Sequence, residues 1–85
     1  MADGKMMTYG DGNAIMILAA VEMGLTPAHV EDAKLQLEGR AIHVMTAKSM
    51  EDAAVSVNEQ LRHDASLIAK ANEHAVQIAS QYGFA

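Results

Sequence analysis

The stretch from Met50 to Gln81 contains neither glycine nor proline, and it limits the possible folds more than any other part of the chain. Steps of alternately four and three residues from Met50 reach apolar side chains, with Asp64 as the exception. The apolar positions are Met50, Ala54, Val57, Leu61, Ile68, Ala71, Ala75, Ile78 and Tyr82. Polar residues occupy the opposite side, which is typical of an amphipathic helix. The pattern predicts one long helix over 50–81, about 48 Å in length at a rise of about 1.5 Å per residue.

The segment 46–49 is where we expect the chain to turn before this helix. Ser49 is followed three residues later by Asp52, as in a capping box, and the acidic residues there suit the positive end of a helix dipole. A first helical half over 13–46 would match the second half in length. The sequence therefore predicts an all-α fold whose basic unit is an antiparallel helical hairpin.

The first half is interrupted once, between Gly24 and Pro27. Asn13 is a good N-cap, so we expect residues 1–12 to form a flexible arm, residues 13–82 the single helical domain and residues 83–85 a tail. Gly24 is suited to end a helix, and Thr26 with Pro27 to restart one. Because the apolar pattern keeps its phase across this break, we expect a kink or a tight restart, with both pieces along one line.

This first half has two apolar faces. Positions seven residues apart are apolar from Ala14 onward, and so are those from Met16 onward, which lie about 200° away around a helix. One helix folded back can cover only one face, and monomers seldom expose such a stripe. We therefore expect a second hairpin to cover it, giving a four-helix bundle as a homodimer or a heterodimer. The predicted interface residues are Met16, Met23, Val30, Leu37, Val44, Leu61, Ile68, Ile78 and Tyr82.

Several of these assignments have alternatives that the sequence leaves open. A sharper turn at Gly24 would give three helices that bury the second face within one chain. Residues 35–45 alternate as in a β-hairpin, although their residue types are weak strand formers. Asp64 either fixes the register of the apolar seam by pairing with a basic residue or lies at a solvated edge. The seven methionines either form an adaptable binding surface or fill the core.

Composition argues against several classes of partner. Eleven acidic and six basic side chains give a net charge of −5, and the basic residues are scattered, which argues against nucleic acid as a partner. The chain has no cysteine, so disulfides and thiolate chemistry are excluded. The longest apolar run, 14–21, is too short to cross a bilayer. The remaining class is a protein that binds proteins.

Residues that could carry chemistry are scattered along the chain. His29 and His43 share a helix face but lie about 21 Å apart along it. The pairs His29 with Asp32 and Glu59 with His63 have the spacing of two metal ligands, yet such pairs more often form solvated side-chain contacts. The sequence has neither a phosphate-binding loop nor the pattern of a nucleophilic triad. We therefore expect no enzymatic activity, no metal and no cofactor.

Four features together suggest a family resemblance: the entry 8-TYGDGNAI-15, the hairpin, the alanine-rich second helix and the end 82-YGFA-85. This combination resembles the WXG family of early-secretory-antigen-type proteins, the small substrates of type VII secretion. Here 46-TAKS-49 stands where that family has its Trp-x-Gly turn, and the family's Tyr-x-x-x-Asp/Glu export signal is not found. The resemblance implies a hairpin that pairs with a similar hairpin and is secreted by a leaderless route; without it, we expect a cytoplasmic protein.

Two functions are compatible with these observations. The first is an assembly or secretion-associated protein that acts by dimerisation or protein binding. The second is a monomeric three-helix adaptor or regulatory module that presents an acidic surface to a basic protein partner.

Overall fold

The computed structural model describes residues 6–25 and 28–84, and these ranges form helices and turns without a β-strand. In chain order the helices are α1 (Tyr9–Glu22), α2 (Val30–Leu37), α3 (Val44–Leu61) and α4 (Ala65–Gln81). The Cα radius of gyration is 12.4 Å, close to the value of about 12 Å for a compact domain of this length. The predicted all-α class is confirmed, and the β-hairpin alternative over 35–45 is wrong.

Helix α1 lies at the centre and contacts each of the other three helices. It is apolar on all sides because it contains the run 14–21, and a helix of that kind must be surrounded. Ala14, Ile17 and Ala19 have no exposed surface. Within α1, the two apolar faces predicted from the sequence are therefore largely covered by α2, α3 and α4 of the same chain, although Met16 and Met23 are only half-buried.

Helix α1 begins four residues before the predicted N-cap at Asn13. Thr8 Oγ1 accepts a hydrogen bond from the Asp11 amide at 3.1 Å, and Asp11 Oδ2 accepts one from the Thr8 amide at 3.0 Å. This reciprocal pair is a capping box with Asp in the place of Glu. Residues 9–12, which the sequence assigned to an arm, are helical because this cap satisfies the first free amides of the helix.

The segment after Gly24 turns the chain back instead of kinking it. Gly24 has a φ of +77°, and the amides of Gly24 and Leu25 bond back to the carbonyls of Val21 and Ala20, which is the hydrogen-bond pattern of a Schellman motif. Gln36 Nε2, near the end of α2, donates to Asp11 Oδ1 at 2.9 Å, so α2 runs antiparallel to α1. The prediction of two pieces along one line is therefore wrong. The predicted restart at Thr26 and Pro27 lies outside the described residues.

The predicted turn at 46–49 is also wrong, because these residues lie inside α3. The chain turns earlier, where Gly39 has a φ of +79° and ends α2 with the same pattern of back-bonded amides, from Gly39 and Arg40. Helix α3 then begins after His43, whose Nδ1 accepts a hydrogen bond from the Met45 amide at 3.1 Å. Ser49 is an exposed residue within α3 and caps nothing there, since the residues before it are already helical.

The predicted continuous helix over 50–81 is broken between Leu61 and Ala65. Asp64 is the N-cap of α4, and its Oδ1 accepts from the amides of Ser66 at 2.9 Å and Leu67 at 3.4 Å. An aspartate competes well for free backbone amides and so favours a helix start over a helix interior. Asp64 is thus an exposed cap, and it does not fix the register of a seam.

Two clusters of buried side chains hold the helices together. The larger surrounds the middle of α1 and includes Ile17, Leu37, Met50, Ile78 and Phe84. The smaller consists of Ala20, Val57, Leu61 and Ala71, at the end of α1 where α3 and α4 meet. No helix among the described residues has the length and apolar character needed to cross a membrane.

Candidate protein-binding surface

The structure separates the nine predicted interface residues into three groups. Leu37, Leu61 and Ile78 are buried inside the chain, with 1%, 4% and 3% of their surface exposed. Met16, Met23, Val30 and Tyr82 are half-buried. Ile68 and Val44 are exposed by 40% and 80%. A substitution at the buried positions would therefore act on the fold, and only the other positions are accessible to a second molecule.

Three of the predicted residues are brought together beside α4. Met16, Leu61 and Ile68 line one groove, with Asn58 of α3 and Asn72 of α4. A second groove of about 510 Å³ continues from Met16 along the boundary between α1 and α4, and its lining is mostly apolar. Its other lining residues are Met7, Gly12, Ile15, Ala75, Val76, Ala79, Ser80 and Phe84. Met16 lines both grooves and so joins them into one surface.

The outer side of α4 forms the edge of this surface. Ile68, Asn72, Val76 and Ser80 follow one another at intervals of four residues, so they lie along one row of the helix. All four are exposed, and Val76 has 69% of its surface free. We call this row the α4 face. Val76 was not among the predicted interface residues, because it lies outside the apolar series that begins at Met50.

Four further predicted residues are placed elsewhere. Val30, Ile78 and Tyr82 line a smaller groove of about 220 Å³ between α2 and α4, which also contains polar residues such as Lys34 and Gln81. Val44 begins α3 beside Met45, which is 72% exposed. None of these four residues lines the two grooves beside the α4 face.

Charged side chains on α2 and α3 are largely paired on their own helices. Lys34 lies 3.7 Å from Glu31, and Arg62 lies 2.6 Å from Glu59. Lys48 Nζ lies 3.1 Å from Glu51 and 3.2 Å from Asp52. These hydrogen bonds, to Glu51 first and Asp52 second, raise the pKa of Lys48 above its ordinary value. Such exposed pairs add little stability, but they leave fewer free carboxylates on these helices.

The histidines do not form a metal centre within residues 6–25 and 28–84, where no group of three potential ligands occurs. His29 Nδ1 lies 3.3 Å from Asp32 Oδ2, as the sequence spacing suggested. Glu59 pairs with Arg62, and no contact between Glu59 and His63 is observed in these ranges. His74 Nδ1 lies 2.6 Å from Glu22 Oε1, a close contact between α4 and α1 that lacks hydrogen-bond alignment.

Two features of this region were not expected from the sequence. The partly buried hydrogen bond from Gln36 to Asp11 connects α2 to the start of α1, and nothing in their spacing of 25 residues indicates it. The sequence contains only a weak indication that Val76 is exposed. Val76 is an isolated apolar residue on the otherwise polar side of the predicted helix. No family model, curated protein or solved structure matches the chain.

Proposed function

We propose that this protein is a non-enzymatic binding module that packs a helix of a partner protein onto the α4 face and the groove beside it. The observation that carries the proposal is a row of exposed, uncharged side chains along α4 in an acidic chain. Val76 and Ile68 expose 69% and 40% of their surface on this row, beside a mostly apolar groove.

The shape of the surface suits a helix better than an extended peptide. Residues four apart on α4 form a ridge, and such ridges pack between the ridges of a second helix. The described residues provide no β-strand with a free edge for strand addition. Complete burial of an aliphatic side chain is worth about 1.5–3 kcal/mol, so covering Val76 and the exposed part of Ile68 would contribute usefully to association.

The methionines at the groove support binding to a helical partner. Met16 is half-buried where the two grooves join, and Met7 lines the other end with 44% of its surface exposed. Unbranched thioether side chains adapt to the shape of a bound surface. Of the two alternatives for the methionines, these two positions favour the binding surface, whereas Met50 fills the core with 1% exposed.

A role in type VII secretion remains a proposal from the sequence resemblance alone. That family implies a two-helix hairpin, whereas the described residues of this chain form four helices with α1 at the centre. The alternative adaptor that presents an acidic surface is favoured less, because carboxylates such as Glu31, Glu51 and Glu59 are paired with basic neighbours.

Photo-crosslinking from the α4 face tests the proposal directly. A photoreactive amino acid replaces Asn72 in cells that naturally make the protein, and the control carries it at Gln81, an exposed residue that lines the separate groove between α2 and α4. We expect a covalent protein adduct of defined mass from position 72, which is lost when Val76→Lys is added. An adduct from position 72 no stronger than that from position 81 would contradict the proposal.

A further inference from the structure

We infer that Met16 is a site of reversible oxidation, and that its conversion to methionine sulfoxide loosens the packing around α1 and alters the grooves beside α4. This modification is a property of the chain itself and does not require a partner protein. Met16 is suited to it because one side of its residue is open to solvent and the other covers part of the core.

The open side of Met16 lines both grooves beside the α4 face. The residue is half-buried, so the grooves give a small oxidant such as hydrogen peroxide a path to its side chain. Met6 and Met45 are 90% and 72% exposed, whereas Met50 is 1% exposed in the core. Because the oxidation of methionine follows exposure, we expect Met16 to react after Met6 and Met45 and well before Met50.

The covered side of Met16 packs against the smaller core cluster. Two of the four buried members of this cluster are the alanines Ala20 and Ala71, which have little apolar surface of their own. The contacts made by the surrounding side chains therefore matter more here than in the larger cluster. An unbranched thioether suits this position because it is apolar and adapts to the shape of its neighbours.

Oxidation by hydrogen peroxide exchanges this apolar contact for a polar group. The sulfur lone pair attacks one peroxide oxygen and forms the S–O bond, the O–O bond breaks, and the second oxygen leaves as water with both protons. Sulfur is oxidised and peroxide is reduced by two electrons. A sulfoxide oxygen left against an apolar cluster without a donor is unfavourable. Asn58 and Asn72 line one of the same grooves, and their side-chain amides are donors, so we expect the sulfoxide to turn towards them.

Two consequences follow for the molecule. The smaller cluster loses the cover that the thioether provided, which weakens the contacts of α1 with α3 and α4 at that end. The junction of the two grooves also gains a polar group, because Met16 lines both of them. Under the proposed function, this second change lowers the affinity for an apolar helix.

Limited treatment of the full chain with hydrogen peroxide tests the site. Peptide mass spectrometry measures the oxidised fraction of each methionine, and far-UV circular dichroism gives the Tm of the same samples. We expect the Tm to fall by about 4–8 °C as Met16 is converted. It should return when the two methionine sulfoxide reductases, one for each sulfoxide epimer, restore the thioether. Met16 oxidised no faster than Met50, or a Tm that does not follow the oxidised fraction of Met16, overturns the inference.

Met16→Leu assigns the effect to this one side chain, because leucine has a similar volume and is not oxidised by peroxide. The variant should keep most of its Tm after the treatment. Met45→Leu is the matched control, since Met45 is neither packed against the smaller cluster nor part of the two grooves, and it should lose Tm like the original chain. An equal loss in Met16→Leu overturns the assignment. The reductase measurement needs no substitution, so it decides the matter even if a variant folds poorly.

Photo-crosslinking from position 72 separates the oxidation of Met16 from the proposed function. If both are correct, the adduct declines when the original chain is oxidised and persists in oxidised Met16→Leu. An adduct that is unchanged by conversion of Met16 overturns the effect on the grooves. If no adduct forms before oxidation, the proposed function fails, and the Tm measurements still decide whether Met16 is the oxidation site.

Discussion

Replacing Gly39 by alanine distinguishes the observed fold from the continuous first half that the sequence predicts. Gly39 has a φ of +79°, in the left-handed region that an L side chain adopts at a cost. A Cβ added there would meet nothing within 4 Å, so crowding does not contribute. The substitution therefore measures the backbone conformation alone.

The expected magnitude follows from two opposing effects. The left-handed conformation costs an L residue about 1–2 kcal/mol. Alanine also restricts the unfolded chain, which offsets about 0.4–1 kcal/mol of this cost. The net result at Gly39 is a loss of about 1 kcal/mol, or a fall in Tm of about 4–8 °C for a domain of this size. If the chain were helical through Gly39, the same substitution would instead stabilise the protein by about 1 kcal/mol.

Gly12→Ala is the matched control, because Gly12 lies within α1 and its new Cβ would meet only Met7 Sδ at 4.0 Å. Alanine is the better helix former, so this variant should gain up to about 1 kcal/mol. Thermal and urea unfolding followed by far-UV circular dichroism, at equal protein concentrations, measure both changes. A Gly39→Ala variant as stable as the original chain, or more stable, would refute the turn at Gly39.

Two further predictions concern the capping residue of α4 and the ion pairs of α3. Asp64→Ala should lower the free energy of unfolding in urea by about 1 kcal/mol, because two amides of α4 lose their acceptor. Ser49→Ala should leave it unchanged, since Ser49 caps no helix. Equal losses in the two variants would favour the sequence prediction that Ser49 caps a helix. The pKa of Lys48, followed by NMR titration, should lie above its ordinary value of 10.5 and fall towards it in Glu51→Gln. The stabilisation by Lys48 is present below pH 10.5 and is lost as the pH rises through the raised pKa. A Lys48 pKa that is unchanged in Glu51→Gln would contradict the pairing of Lys48 with Glu51.

The all-α class could be predicted from the sequence because apolar positions recur with a helical period and strand-forming residues are few. The turn at Gly39 could not be placed, because the apolar series continues past it in phase. Leu37 before the turn is buried in the main cluster, and Ile42 after it packs against the same cluster from another segment. A spacing of seven residues therefore records which residues share a core, and it does not require that they share a helix.

The break before α4 shows a different limit of local patterns. Residues 62–64 contain no glycine or proline, and Arg62 keeps right-handed helical dihedrals. The local signal was Asp64, the polar exception in an apolar series, which suits either a solvated helix edge or an N-cap. Helix α4 contacts α1 much more extensively than it contacts α3. The packing of α4 against α1 therefore decides that Asp64 is an N-cap and not a residue at the edge of a continuous helix.

These two breaks change where association should be sought. The sequence required a second chain because one straight helix cannot cover both apolar faces of the first half. With breaks at Gly39 and Asp64, three helices of the same chain surround α1, and Leu37 of the predicted interface becomes part of the core. Part of the apolar surface that this arrangement leaves open lies on α4, where Val76 and Ile68 are exposed beside the two grooves. The methionine stripe of the first half meets this surface only through Met16, so the case for a partner now depends on the α4 face.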